Sequence, residues 1–275
     1  MSKKKFCKFV SLVVSLILMT AVLFAGCSGN TLSSSPNSTN VLKVGVRDDI
    51  LDFSSLHKEA GKYYGLEVDL AYDLAEKLGY DGVEFTTVTP DDRKDTLLNG
   101  DIDCLIAAYS ISDSRKENFD FSEPYYTDET NLMVEKSSLI TDISGLGGQT
   151  IGILSGSNAG PLLNIKFSEL GLIDPNPISN DDEKTVYDRL TIVKYASYEE
   201  LYQALEEGRV DAACMDGCIA NTYMTDSTML LEGSIADQQY GVATQKDSDL
   251  SQPIADAVAG LLEDGTIDKL IEKWL

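Results

Sequence analysis

Four short stretches of the 275-residue chain hold groups able to grip a small polar molecule: residues 47–49, 108–110, 154–157 and 215–216. They supply the guanidinium of Arg47, the hydroxyls of Ser110, Ser155 and Ser157, the backbone around Gly156 and the carboxylate of Asp216. A catalyst needs a poised acid or base beside the reacting group. The single His57 lies near none of these stretches, and neither a Gly-x-Ser-x-Gly elbow nor a Gly-Lys-Ser/Thr phosphate loop occurs. A cleft glutamate of unassigned role is the remaining acid–base candidate. With one histidine, and with Cys104, Cys214 and Cys218 at spacings that match no zinc or redox motif, no metal site is indicated. The three thiols read as buried strand residues, with a Cys214–Cys218 disulfide as the other option.

The elements that must carry these groups alternate. Val41–Val46 (VLKVGV) reads as a strand. Leu70, Leu74 and Leu78 fall four apart on a helix over Leu66–Leu78 that Gly79 can close. A strand over 83–88, a short helix over 91–99 ending at Gly100, and an apolar strand over 103–108 follow. The alternation implies βαβ units and a mostly parallel sheet. The pattern then returns: Val44-Gly45-Val46 is echoed by Ile151-Gly152-Ile153, and Leu97-x-x-Gly100-x-Ile102-Asp103 by Leu205-x-x-Gly208-x-Val210-Asp211, 108 residues later. Ser197 with Glu200 predicts a capping box for the helix that ends at Gly208. Two similar α/β halves are the simplest account. Ligands of open parallel sheets sit outside the carboxyl ends of strands, so two facing halves would line one cleft with the four stretches.

A composition of 43% hydrophobic and 24% charged residues is globular. A formal charge of −23, from 22 basic and 45 acidic residues, excludes a nucleic-acid partner, which would need a basic face. Lys3, Lys4, Lys5 and Lys8 precede an uncharged apolar run over 9–25, the pattern of a secretory signal over 1–26. The tail VLFAGC resembles a bacterial lipobox, which implies lipidation at Cys27, with Phe24 where that pattern prefers Leu. Residues 27–40, rich in Ser, Asn and Thr, read as a flexible tether. The folded part would then face outward, held to the cell membrane by lipid alone.

The stretch TLLNGDIDCLIAAYSISDSRKENFDFSEPYY (96–126) resembles the type II extracellular solute-binding proteins of amino-acid ABC importers, the bacterial solute-binding family 3. The resemblance extends over 42–275. It implies an α/β, two-lobed periplasmic-binding-protein-like fold of type II, with a mixed, mostly parallel sheet in each lobe and two hinge crossings. By register, lobe 1 covers 41–124 and 241–275, lobe 2 covers 130–235, and the hinges fall at 125–129 and 236–240. Arg115 matches the arginine that grips the ligand's α-carboxylate, with Ser110 and the turn at Ser157 and Asn158 completing that shell. Asp216 matches the acid that holds the α-ammonium, helped by the Ala108 carbonyl. Ala108 stands where the family has glycine. Arg47 and Arg93 stand as in receptors for acidic amino acids, although Arg93 could instead pair with Asp91 or Asp92 on a helix surface. Phe53 is either an apolar wall of the site or ordinary core. The implied function is capture of a free L-amino acid, glutamate or aspartate, by a monomer that delivers it to a membrane permease and its ATPase. It is not an enzyme and needs no cofactor. The alternatives are a receptor for a neutral polar amino acid such as glutamine or cystine, or a dehydratase-like enzyme on the same fold.

Overall fold

The computed structural model describes residues 40–275, which lie in one compact unit, Thr39–Leu275. The expected secretory signal, the lipidation site Cys27 and nearly all of the tether lie outside the described residues. Among the described residues no helix is long and apolar enough to cross a membrane.

The first sheet has the order β5-β1-β6-β16-β7. Its strands are β1 (Val41–Val46), β5 (Gly82–Thr87), β6 (Cys104–Leu105), β7 (Phe119–Phe121) and β16 (Ala243–Gln245). A small antiparallel sheet, β2 (Asp49–Ile50), β3 (Ser54–His57) and β4 (Lys62–Tyr64), follows β1. Helix α1 (Leu66–Leu78) buries Leu66, Leu70 and Leu74, and Gly79 closes it at φ 77° as the spacing predicts. Helices α2 (Arg93–Leu98) and α3 (Asp113–Lys116) flank β6 and β7.

The second sheet has the order β10-β11-β12-β9-β13-β8-β14, with β15 also on β8. Its strands are β8 (Tyr126–Glu135), β9 (Thr150–Leu154), β10 (Ser179–Asn180), β11 (Lys184–Val186), β12 (Thr191–Tyr195), β13 (Ala212–Asp216), β14 (Thr228–Leu230) and β15 (Ala236–Tyr240). Helices α4 (Ala159–Glu169), α5 (Tyr198–Glu206) and α6 (Gly217–Tyr223) belong to this half. Ser197 caps α5 by accepting from the Glu200 N–H at 3.1 Å, and Glu200 reaches back to the Ala196 N–H at 3.3 Å. The chain leaves the first sheet along β8 and returns along β15. The two pair antiparallel from Tyr126↔Tyr240 to Thr130↔Ala236. After β16, helices α7 (Ser251–Glu263) and α8 (Thr266–Trp274) pack on α1, where Asp69 takes the Lys273 ammonium at 2.6 Å and the Trp274 indole N–H at 2.8 Å.

Each sheet is mixed. Parallel pairing is confined to β5-β1-β6, at one edge of the first sheet, and to β12-β9-β13, inside the second; the other pairs are antiparallel. The expected strand over 103–108 is two residues long, and the chain turns at Ala108, whose φ is +45°.

The sequence echo is a structural repeat. In the first half Asp103 accepts the Lys43 N–H at 2.8 Å and returns its own N–H to the Lys43 carbonyl at 2.8 Å. In the second half Asp211 does the same to Thr150, also at 2.8 Å in both directions. The glycine inside each first strand is required by close approach. A Cβ on Gly45 would meet Ile102 at 2.5 Å, and one on Gly152 would collide with Leu201. Asp103→Ala and Asp211→Ala should each lower unfolding free energy by about 1–2 kcal/mol, since each orphans a strand amide. Chemical denaturation measures both, and a cost at one position alone would contradict their equivalence.

Candidate functional site

The loop after β6 is the centre of the first half's contribution. Ala108 adopts a left-handed backbone that glycine takes freely and alanine does not. Arg93 Nη1 donates to the Ala107 carbonyl at 2.9 Å, and the Ala108 N–H donates to Glu67 Oε1 at 2.6 Å. Glu67, from the first turn of α1, is fully buried and also accepts the Tyr125 hydroxyl at 2.5 Å. Burial pushes its carboxyl above the ordinary range, against the pull of Tyr125, the Ala108 amide, Arg47 and Arg93.

Arg93 does not pair with its acidic neighbours. Asp91 accepts from Ser155 at 2.9 Å, and Asp92 accepts the Thr89 N–H at 2.7 Å. Arg93 instead points inward, 4% exposed, with its guanidinium carbon 4.6 Å from the centre of the Tyr109 ring. Arg115 lies on the same ring at 4.2 Å and donates to the Ser110 carbonyl at 2.8 Å. Neither forms an ion pair among the described residues. Burial, then Arg115 and Arg47, pulls Arg93 down to about 9, and burial lowers Arg115 too. Arg47 differs: Asp49 takes it in a two-point grip at 2.8 and 2.6 Å. The first half therefore presents two guanidinium groups without an ion-pair partner, not three.

In the second half Asp216 ends β13. Its Oδ1 accepts from Thr130 at 2.8 Å and more distantly from Gln238 at 3.5 Å, and its Oδ2 accepts from Tyr240 at 2.7 Å. Asp216 is partly accessible, yet the packing around it pushes its carboxyl upward, against these donors. Ser157 turns its N–H back to the Leu154 carbonyl at 3.3 Å, a long bond, and its hydroxyl to the same carbonyl at 2.7 Å. Asn158 precedes α4 without a side-chain capping bond. Tyr198 opens α5 beneath Arg47, 5.7 Å from its guanidinium carbon.

The halves touch at the site's rim. Ser155 bonds Asp91, Arg93 Nη2 reaches the Gly156 carbonyl at 3.5 Å, and a Cβ on Gly156 would meet the Pro90 backbone at 2.6 Å. Beside this contact a recess of about 360 Å³ reaches Arg93, Tyr109 and Arg115. A larger one, about 710 Å³, lies behind the 155–157 turn and reaches neither arginine nor Asp216.

Phe53 is fully buried, edge-on to Tyr126 at 4.9 Å, which makes it core of the crossing region. Cys104, Cys214 and Cys218 are buried free thiols, so Cys214 and Cys218 do not pair. Sequence reasoning missed Glu67, Tyr109, Thr130, Tyr198 and Tyr240. Tyr109 alone had a signal, since it stands between Ala108 and Ser110.

Residues 42–275 match the family described as bacterial extracellular solute-binding proteins, family 3. The ABC transporter glutamine-binding protein GlnH of Bacillus subtilis (strain 168) is 26% identical over 286 residues, covering 99% of this chain and 97% of that protein. The L-cystine-binding protein TcyJ of Escherichia coli (strain K12) is 28% identical over 270 residues, covering 94% and 92%. The solved structure of an ancestral arginine-binding protein bound to arginine superimposes with a TM-score of 0.71 at 29% identity, over 86% of this chain and 98% of that one. The fold is accordingly the two-lobed type II arrangement, with two crossings between lobes.

The left-handed turn is testable. Ala108→Val should cost about 2 kcal/mol of unfolding free energy, because a β-branched residue resists that conformation. Ala108→Gly should stay within about 0.5 kcal/mol of the parent, strain relief offsetting added chain entropy. Urea titration decides, and a valine variant as stable as the parent would contradict the assigned backbone.

Proposed function

Because the chain belongs to the bacterial extracellular solute-binding proteins, family 3, we propose that it captures a free amino acid between its lobes for an ABC importer, and that glutamate or aspartate is preferred. The protein acts as a receptor: it holds its ligand and passes it unchanged to a membrane permease whose ATPase sits inside.

The observation that carries this reading is the pair of guanidinium groups on Tyr109 without a carboxylate partner. Arg115 takes the α-carboxylate with its planar fork, and Ser110 and the 157–158 turn close around it. The long Ser157 N–H bond at 3.3 Å yields readily to a charged acceptor. Asp216 and the Ala108 carbonyl take the α-ammonium. Arg93 is then left for a second anionic group, which an acidic side chain supplies and an amide does not. A ligand touching Arg115 in one lobe and Asp216 in the other favours the closed arrangement by its differential affinity for it.

A neutral polar ligand is the second reading. It is favoured by the Arg47–Asp49 grip, which removes one of the two extra cations expected beside the cleft. It is favoured too by relatives named for glutamine and cystine.

Calorimetry with L-glutamate, L-aspartate, L-glutamine and L-cystine separates the two. Arg115→Ala should lower affinity for every ligand by about a hundredfold or more. Arg93→Ala should weaken glutamate about tenfold more than it weakens glutamine, since both ligands share whatever Arg93 does for the Ala107 carbonyl. Equal losses for both ligands at Arg93 would defeat the acidic preference.

Asp216 gives the pH dependence its sign. It holds an ammonium only when ionised, and its carboxyl is raised in the empty site. Affinity should therefore fall as pH drops through that raised value, beginning above the ordinary carboxylate range. Asp216→Asn should bind weakly at every pH, with that acid limb flattened.

A further inference from the structure

Glu67 would touch no ligand in the arrangement above, yet it and Arg93 hold the same peptide unit. The Ala107 carbonyl and the Ala108 N–H are the two ends of one amide plane. Arg93 Nη1 holds the oxygen at 2.9 Å, and Glu67 Oε1 holds the N–H at 2.6 Å. We propose that Glu67 and Arg93 form a clamp on this peptide, making Glu67 a positioning residue for the ligand's ammonium; the assignment deepens the amino-acid reading and rests on it.

A plane held at both ends cannot rotate. The hold matters because Ala108 carries φ +45°, a backbone angle that an alanine leaves if it is free to do so. Rotating the 107–108 plane would change that angle, and with it the setting of this plane against the next one, which carries the Ala108 carbonyl assigned to the ammonium. A glycine at 108 would rest in this conformation without help. With alanine there, the chain needs the acceptor that Glu67 provides.

The bonding of the clamp is lopsided. Glu67 Oε1 takes both the Ala108 N–H and the Tyr125 hydroxyl, while Oε2 is buried without a partner. Arg93 Nε is buried without a partner as well. Among the described residues these are the two buried side-chain atoms so left. Buried polar groups are normally satisfied, and exceptions gather where function fixes geometry. Both exceptions fall on the two residues that hold one strained peptide. Tyr125 extends the arrangement to the crossing, since its own N–H donates to the Tyr240 carbonyl at 2.9 Å.

The test compares the parent with Glu67→Gln, which keeps an acceptor oxygen, and Glu67→Leu, which removes it. Amide exchange of Ala108 in the ligand-free proteins should be slow in the parent and the glutamine variant and at least about tenfold faster in the leucine variant. Titration with L-glutamate and L-glutamine should show about a tenfold or greater loss for leucine and less than about threefold for glutamine. Equal exchange and affinity in parent and leucine variant would overturn the clamp, as would a glutamine variant damaged as badly as leucine. If the parent binds no amino acid, the receptor reading fails while exchange at Ala108 still decides the clamp. If the leucine variant does not fold, the parent decides: an Ala108 amide exchanging as fast as an unprotected loop amide overturns the proposal, and a protected one in both parent and glutamine variant supports it.

Discussion

Two guanidinium groups resting on one tyrosine, with no carboxylate bonded to either among the described residues, are the constraint around which this site is built. Removing a guanidinium from water is costly unless an anion or several acceptors compensate. Here the compensation is partial: the Ala107, Ser110 and Gly156 carbonyls and the face of Tyr109. The chain has 45 acidic residues, so the lack of an ion pair at these two arginines is a matter of arrangement rather than supply. Asp91 is turned to Ser155 and Asp92 to the Thr89 amide, which keeps the carboxylates next to Arg93 in sequence occupied elsewhere. An arriving carboxylate would supply what the protein withholds. Its binding energy is largest where the empty site is least satisfied.

The repeat explains how complementary groups come to face each other. Ala108 and Asp216 are 108 residues apart, the same offset that relates Asp103 to Asp211, so they are equivalent positions in the two halves. In the first half that position presents bare, strained backbone. In the second it presents a carboxylate held by Thr130 and Tyr240. The same supersecondary unit thus supplies an acceptor from each side of the cleft. The site's arginines enter only from the first half, on α2, on α3 and after β1, an asymmetry that would give a zwitterion one orientation.

Much of this was legible in the residues. Leu70, Leu74 and Leu78 mark α1, and the VGV and IGI echoes mark the paired first strands, because both signals depend on local period and on a glycine that close packing demands. The direction of Arg93 was not legible. Its neighbours Asp91 and Asp92 offer nearer partners in sequence, and only the Tyr109 ring and the Ala107 carbonyl draw it inward. Arg47 and Asp49 could have been read better, since residues two apart in extended chain share a face. Glu67 was hidden for a different reason. An acid in the first turn of a helix looks like a partner for the helix dipole. Its burial depends on Tyr125, 58 positions away.

The crossings carry the last step. Tyr125 stands just before β8 and Tyr240 ends β15, and each donates its hydroxyl to a carboxyl of one half: Tyr125 to Glu67, Tyr240 to Asp216. Their rings lie 6.5 Å apart, and a backbone hydrogen bond of 2.9 Å joins them. Packing raises both carboxyls above their ordinary range, and each tyrosine donor pulls against that shift. Both tyrosines stand where β8 and β15, the two crossings, begin and end. The groups that set the orientation of the Ala108 peptide and the charge of Asp216 are therefore bonded to the strands about which the halves would turn. Ligand chemistry and lobe geometry meet in two phenol hydroxyls.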